Sequence, residues 1–210
     1  MLVLGCGIRT DTGKAYQLHD VDQLAMIRPV TKAAFRPEKG SEIYTTIRRA
    51  CQIARAGTPG PVMVEIPANF YYFKEEPSGE TPPTPPPPSP RIDEVERAAL
   101  MLQKSERPLI YAGLGAAGAD LVALAERLQA PVTTTFQGKG VFPESHPLWL
   151  WPGFGDAAPS FVRDIAADCD ATLAIGCRFG EVATGSYGFE PPRPRIHVDI
   201  DPQVPGRDYP

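Results

Sequence analysis

Eight of the fourteen residues from 77 to 90, PSGETPPTPPPPSP, are proline, and they cut the chain in two. Proline fixes φ and has no N–H to donate, so neither a helix nor a central strand can run through such a stretch. A stiff polyproline II spacer is the expected form, with a PxxP ligand for a signalling domain as the rival reading. Residues 1–76 and 91–210 must therefore each supply apolar surface for their own core.

The chain has 210 residues, enough to bury a core of useful size. An apolar content of 42% with 22% charged residues is ordinary for a soluble protein, and a formal net charge of -4 gives no basic field for nucleic acid. No stretch approaches the roughly 20 apolar residues of a membrane span, and the N-terminus has no basic n-region followed by a long apolar run. Cys6, Cys51, Cys169 and Cys177 are scattered without a CxxC pair, and His19, His146 and His197 are not at metal-ligand spacings. These read as buried thiols in a reducing, cytoplasmic setting, with no metal site. Leu2 to Gly5 reads as the end of a buried strand, so the chain opens in mid-pattern and is expected to be a piece of something longer.

In the first block, Ile43, Ile47, Ala50 and Ala54 share one helical face, ending near Ala56-Gly57, where glycine can take the left-handed cap. Thr58-Pro59-Gly60-Pro61 reads as a tight turn with Gly60 at positive φ. Residues 62–66 follow as a strand with Pro61 and Pro67 at its ends. In the second block, Ile92, Val95, Ala99 and Leu102 mark a helix face. Then come a strand over 109–112, a helix over 121–128, a strand over 131–135, a helix near 161–167, and strands over 171–175 and 196–200. Alternating helices and continuous apolar strands predict a parallel α/β sheet covered on both faces.

Gly113-Leu114-Gly115-Ala116-Ala117-Gly118 has the GxGxxG spacing of a dinucleotide turn, and equally that of a plain strand-to-helix turn. An NAD site needs an acid about 20 residues on, at the end of the second strand. That position falls in Pro131-Val132-Thr133-Thr134-Thr135-Phe136-Gln137-Gly138, which has no carboxylate, so an ordinary NAD site is not expected. Gly113-Leu114-Gly115, residues 134–138, Gly176-Cys177-Arg178-Phe179 and Asp199-Ile200-Asp201 all fall at or beyond predicted strand C-termini, the ligand edge of an open α/β sheet. Arg178 suits a diphosphate and the threonines suit ribose or ribityl hydroxyls. The competing reading makes Arg178 a surface ion pair and the glycines turns.

Taken in order, these segments resemble a known family. Arg28-Pro29-Val30-Thr31-Lys32 and residues 54–67 (ARAGTPGPVMVEIP) are similar to the end of the pyrimidine-binding domain of thiamine diphosphate enzymes. Residues 131–140 (PVTTTFQGKG), Gly176-Cys177-Arg178-Phe179 and residues 196–202 (IHVDIDP) resemble its central domain, with order and spacing nearest to acetolactate synthase-like members. The resemblance implies an α/β fold. Residues 1–76 are then the C-terminal part of an incomplete pyrimidine-binding domain and 77–90 a linker. Residues 91–210 are a parallel-sheet, Rossmann-like central domain (DHS-like NAD/FAD-binding type) without its last strand and helix.

It also implies carboligation or decarboxylation of 2-oxo acids through a carbanion on the thiazolium ring. Thiamine diphosphate and Mg2+ would be held mainly outside these residues, in a homodimer or homotetramer. Neither the activating glutamate nor a GDG…N segment is found in the sequence, so the isolated chain is expected to be inactive. Counting back from Arg28 places His19 and Asp20 at the substrate-lining segment; Tyr16-Gln17 fits only with a two-residue insertion, and a plain surface histidine is the alternative.

Where family members carry FAD, Gly113, Gly115, Thr135, Gln137, Gly138, Arg178 and Asp199 match its contacts. Two segments depart from the pattern. Gly153-Phe154-Gly155-Asp156-Ala157 stands where LGMHG is usual, and Gly180-Glu181 follows the GxRF arginine where two aspartates are usual. FAD, ADP and no ligand all remain open for the central domain. A non-catalytic nucleotide-binding module and a degenerate fragment without ligand are the rival functions.

Overall fold

The computed structural model describes residues 1–14, 16–80, 83, 86, 88–155 and 158–210. The chain falls into two compact units, Met1–Pro88 and Ser89–Pro210, divided inside the proline-rich stretch. Several of that stretch's residues, and Asp156-Ala157 of the loop where LGMHG is usual, lie outside the described residues.

The first unit runs β1 (Leu2–Gly7), α1 (Gln23–Ile27), β2 (Ala33–Phe35), α2 (Ile43–Arg55) and β3 (Val62–Pro67). The strands form a parallel sheet in the order β1-β3-β2, with Val64 between Leu4 and Phe35. Every residue of β3 is buried, Glu65 included, as a central strand covered on both faces requires. The α2 face carrying Ala50 and Ala54 packs on Val62, Val64 and Ile66. The expectation that residues 2–5 end a buried strand is corrected: β1 is an edge strand, and Leu4 is 56% exposed.

Gly57 takes the expected left-handed conformation (φ +53°), whereas Gly60, expected at positive φ, does not. The Lys32 ammonium donates to the carbonyls of Ile53 (2.7 Å), Ala56 and Thr58 (3.0 Å), closing the negative end of α2 with a positive charge. A Cβ at Gly60 would come within 2.9 Å of the Lys32 stem, so this glycine makes room for the capping lysine.

The second unit runs α3 (Ile92–Gln103), β4 (Pro108–Ala112), α4 (Leu121–Leu128), β5 (Val132–Thr134), β6 (Trp149–Pro152), α5 (Ser160–Asp168), β7 (Ala171–Ile175) and β8 (Arg195–Val198). Its five parallel strands lie in the order β6-β5-β4-β7-β8. Successive residues of β4 serve opposite faces. Leu109 and Tyr111 pack with Val162 and Ala166 of α5, while Ile110 and Ala112 pack with Leu121 and Ala125 of α4 and with Met101 and Leu102 of α3. This is a doubly wound Rossmann-like sheet, and its switch point lies between β4 and β7.

Three expectations change here. The buried side of α3 is Ala98, Met101 and Leu102, while Ile92 and Val95 are exposed, so the apolar face is rotated from the one predicted. Strand β6, in a segment expected to be irregular, pairs with β5 across a register shift. Strand β8 ends at Val198, which puts Asp199 and Ile200 in the following loop.

Candidate nucleotide edge

At the switch point the loops leaving β4, β5 and β7 pack backbone against backbone. The amide of Gly113 donates to Ile175 O (2.8 Å) and that of Gly115 to Gly176 O (3.1 Å). A Cβ on Gly113 would fall 2.7 Å from Cys177 Cα, and one on Gly176, itself at φ +57°, would fall 2.5 Å from Gly115 Cα. Gly138 closes on the same point, 2.8 Å from Ala112 O by the same measure. These glycines are required by the meeting of three loops, and all four of their amides are already committed.

The helix end that a pyrophosphate would use is also taken. Asp120 caps α4, its carboxylate accepting from Ala123 N (3.1 Å), so a fixed negative charge sits where the dipole would favour phosphate. The GxGxxG spacing is therefore a tight strand-to-helix turn at α4.

The side chains divide into fixed and free. Thr135 is buried; its amide reaches Ala112 O (2.9 Å) and its hydroxyl accepts from Gly138 N (2.9 Å), so it shapes the turn. Asp199 is half-buried and accepts from Asp201 N (2.9 Å). Gln137 and Arg178 are exposed and have no hydrogen-bond or ion-pair partner among the described residues, which removes the surface ion pair as an account of Arg178. Leu114, Phe136 and Ile200 add exposed apolar surface on three of the loops.

The backbone on either side of Arg178 is held by packing and hydrogen bonding. Phe179, held at φ +51° and buried, stacks on Tyr111 (5.3 Å between centroids) and meets His197 edge-on (5.2 Å). The His197 Nε2–H donates to Cys177 O (2.8 Å), which fixes its tautomer. Burial pushes the Cys177 thiol up to about 12, so it is a packing group and no nucleophile. Sequence reasoning missed Tyr111, whose buried hydroxyl donates to Ala183 O (3.0 Å) and anchors this layer. The only hint was a polar tip within an apolar strand.

In the first unit, His19 and Asp20 lie exposed on the loop of residues 8–22 that follows β1, with His19 at φ +64°. Neither side chain has a hydrogen-bond partner among the described residues. Gln17 instead ties the loop down by donating to Arg9 O (3.0 Å), while Tyr16 is fully exposed. A second tie missed from sequence is Asn69, whose side-chain oxygen accepts from Thr10 N (3.0 Å). A third is Glu65, 2% exposed in β3 and paired with Arg36 at 2.9 Å.

The sequence model of the thiamine pyrophosphate enzyme central domain matches residues 95–210. The chain belongs to the thiamine pyrophosphate enzyme family. It is 35% identical over 207 residues to a probable acetolactate synthase large subunit of Methanocaldococcus jannaschii, covering 90% of this chain and 34% of that protein. It is 33% identical over 200 residues to the acetolactate synthase large subunit of Parasynechococcus marenigrum, covering 90% and 32%. The chain thus spans about a third of the length of these relatives. A crystal structure of benzoylformate decarboxylase from Polynucleobacter necessarius shares the fold, with a TM-score of 0.78 at 24% identity over 97% of this chain and 39% of that one. The expected parallel-sheet α/β fold and membership of the thiamine diphosphate enzymes hold, and the likeness to acetolactate synthases extends over 90% of the chain. No helix among the described residues is long and apolar enough to cross a membrane.

Proposed function

We propose that this chain serves a thiamine diphosphate-dependent carboligase or decarboxylase of 2-oxo acids, of the acetolactate synthase kind. The observation that carries the reading is the family match over residues 95–210, joined to an acetolactate synthase likeness that covers 90% of the chain. On this reading the first unit is the C-terminal part of the pyrimidine-binding domain, and His19 and Asp20 face the substrate. When bound in the complete enzyme, thiamine diphosphate would supply an electron sink for the reaction and Mg2+ would offset its diphosphate charge. No group of three His, Cys, Asp or Glu among the described residues could hold that metal, so its ligands are not assigned to this chain. A homo-oligomer in a reducing cytoplasm completes the proposal; four cysteines without a disulfide support the compartment.

For the second unit the reading places FAD or ADP on the edge where Arg178, Gln137 and Asp199 offer polar groups beside Leu114, Phe136 and Ile200. Gly113, Gly115, Thr135 and Gly138 shape that edge. A free guanidinium fork is the group best suited to a diphosphate, and the exposed apolar side chains suit a flat ring. Titrating the chain with FAD and with ADP tests this. One-to-one binding weakened at least about tenfold in R178A is the expected result. Bound yellow flavin favours the synthase type, and ADP alone favours a decarboxylase-type or purely regulatory domain. Binding of neither sinks the nucleotide assignment.

The reaction class is tested by supplying in trans both missing parts, a segment bearing the activating glutamate and a GDG…N-bearing domain, with thiamine diphosphate, Mg2+ and pyruvate. Acetolactate or aldehyde is expected, and failure across a panel of 2-oxo acids overturns the class.

A further inference from the structure

A cavity of about 580 Å3 in the second unit shares no residue with the loops that carry Gly113, Thr135 and Arg178. It lies between the connection from β7 to β8 and the segment 207–210. Its wall is built by an unusual backbone, because Gly185, Ser186 and Tyr187 all take left-handed φ (62°, 54° and 62°), a run that L-residues avoid. Ser186 N donates to Glu181 O (2.8 Å), Tyr187 N to the Thr184 hydroxyl (3.3 Å) and Phe189 N to Thr184 O (3.0 Å), which hold the run in place. The result sets the Tyr187 ring, 56% exposed, on the cavity wall.

Charge in this cavity is unbalanced. The Arg195 side chain is 7% exposed and fully engaged: it donates to Pro191 O (2.9 Å), Pro210 O (3.1 Å) and the Glu190 carboxylate, and lies 5.5 Å from the centre of the Tyr209 ring. It thereby neutralises Glu190. Arg193 and Arg207, exposed on the same wall, have no hydrogen-bond or ion-pair partner among the described residues. Asp208 is the single acidic side chain of the lining left to offset them.

We propose that this cavity binds a small multivalent anion of the phosphoryl class, gripped by the Arg193 and Arg207 guanidinium forks, with Tyr187 offering a flat face to an attached ring. Planar guanidinium groups match phosphoryl oxygens two at a time, and an exposed tyrosine ring held by the backbone loses little freedom on contact. The inference stands apart from the thiamine reading, since it uses neither Arg178 nor the glycine turns.

Inorganic pyrophosphate titrated calorimetrically into the full chain carrying R178A, at low ionic strength, tests it with the sheet-edge arginine removed. Binding is expected in R178A, at least about tenfold weaker after R193A and R207A are added. The pair R193K and R207K keeps the charge without the fork and should fall between. No binding in R178A, or an affinity in the triple variant within twofold of R178A, overturns the proposal. Tyr187→Gly suits the left-handed backbone and should weaken ADP while leaving pyrophosphate unchanged; equal weakening of both removes the ring contact.

Discussion

The two units are parallel sheets of very different completeness. In the second, β5, β4 and β7 are flanked on both sides by strands, and two apolar clusters cover opposite faces. In the first, only β3 is flanked, both neighbours are edges, and one cluster of five buried residues carries the core. An open edge presents unpaired N–H and C=O groups as a template for other strands, and exposed Leu4 adds apolar surface beside it. Polar devices compensate in part, since Lys32 closes α2, Asn69 ties down residue 10, and Arg36 neutralises the buried Glu65. The second unit is thus held by packing, while the first depends on a few specific polar ties.

Separating the units gives the largest expected effect. Residues 91–210 expressed alone should unfold cooperatively as a monomer, whereas residues 1–76 alone should aggregate or form oligomers. Size-exclusion chromatography with urea titration reads both. A monomeric, cooperative 1–76 would erase the contrast drawn above.

Next in size is Gly176→Ala. The new methyl meets backbone of the β4 loop, which cannot swing aside as a side chain can, and the left-handed φ is strained as well. A loss of more than about 3 kcal/mol is expected in the second unit. Cys177 is a built-in reporter, since it is buried and its thiol is pushed up to about 12. It should resist thiol reagents in the native chain and react readily in the variant, while Cys6, exposed where a buried thiol was expected, reacts in both.

Much of the fold was legible because parallel strands buried on both faces write continuous apolar runs. Strand β7 and helix α4 fall on the predicted residues, and β3 and β4 extend them by one. Strand β6 was hidden because an edge strand of four residues, Trp149–Pro152, pairs on one side only and ends in proline. The α3 face was misjudged because its first turn overhangs the core and leaves Ile92 and Val95 in solvent.

At the candidate edge, residue types and order were readable. What each glycine does was not, because the partner that excludes a Cβ at Gly113 comes from the distant β7 loop. The Tyr111 anchor was invisible for the same reason, its acceptor lying 72 residues away.

Within the first unit, Arg36→Ala isolates one of the polar ties. It leaves the Glu65 carboxylate buried without its counter-charge, but Arg36 itself is 39% exposed and water enters where it stood. The expected loss is about 2 kcal/mol, short of that for a fully buried pair. Glu65→Gln in the Arg36→Ala background should recover part of it. A loss unaffected by Glu65→Gln would show that the arginine acts by packing and that the tie is not electrostatic.

The smallest effect separates the units by pH and salt. Asp170 of the second unit accepts from the Ser105 hydroxyl, Glu106 N (2.9 Å) and Arg107 N (3.1 Å), and these donors, the hydroxyl first, hold its carboxyl below the usual carboxylate range. Asp11 of the first unit is also lowered, chiefly by a hydrogen bond from Arg9, but that pair is exposed. A carboxyl with a depressed folded-state pKa adds stability above its unfolded value, about 3.9, and loses it as pH falls through the folded value. Urea titrations at pH 6 and pH 3 should therefore show a smaller acid loss in Asp170→Asn than in the parent chain. Because its donors are largely backbone amides, that difference should persist in high salt, whereas any contribution from the Arg9–Asp11 pair should be screened away. Equal salt sensitivity at both sites would mean that Asp170 acts as a surface charge and that its turn contributes no more than the exposed pair.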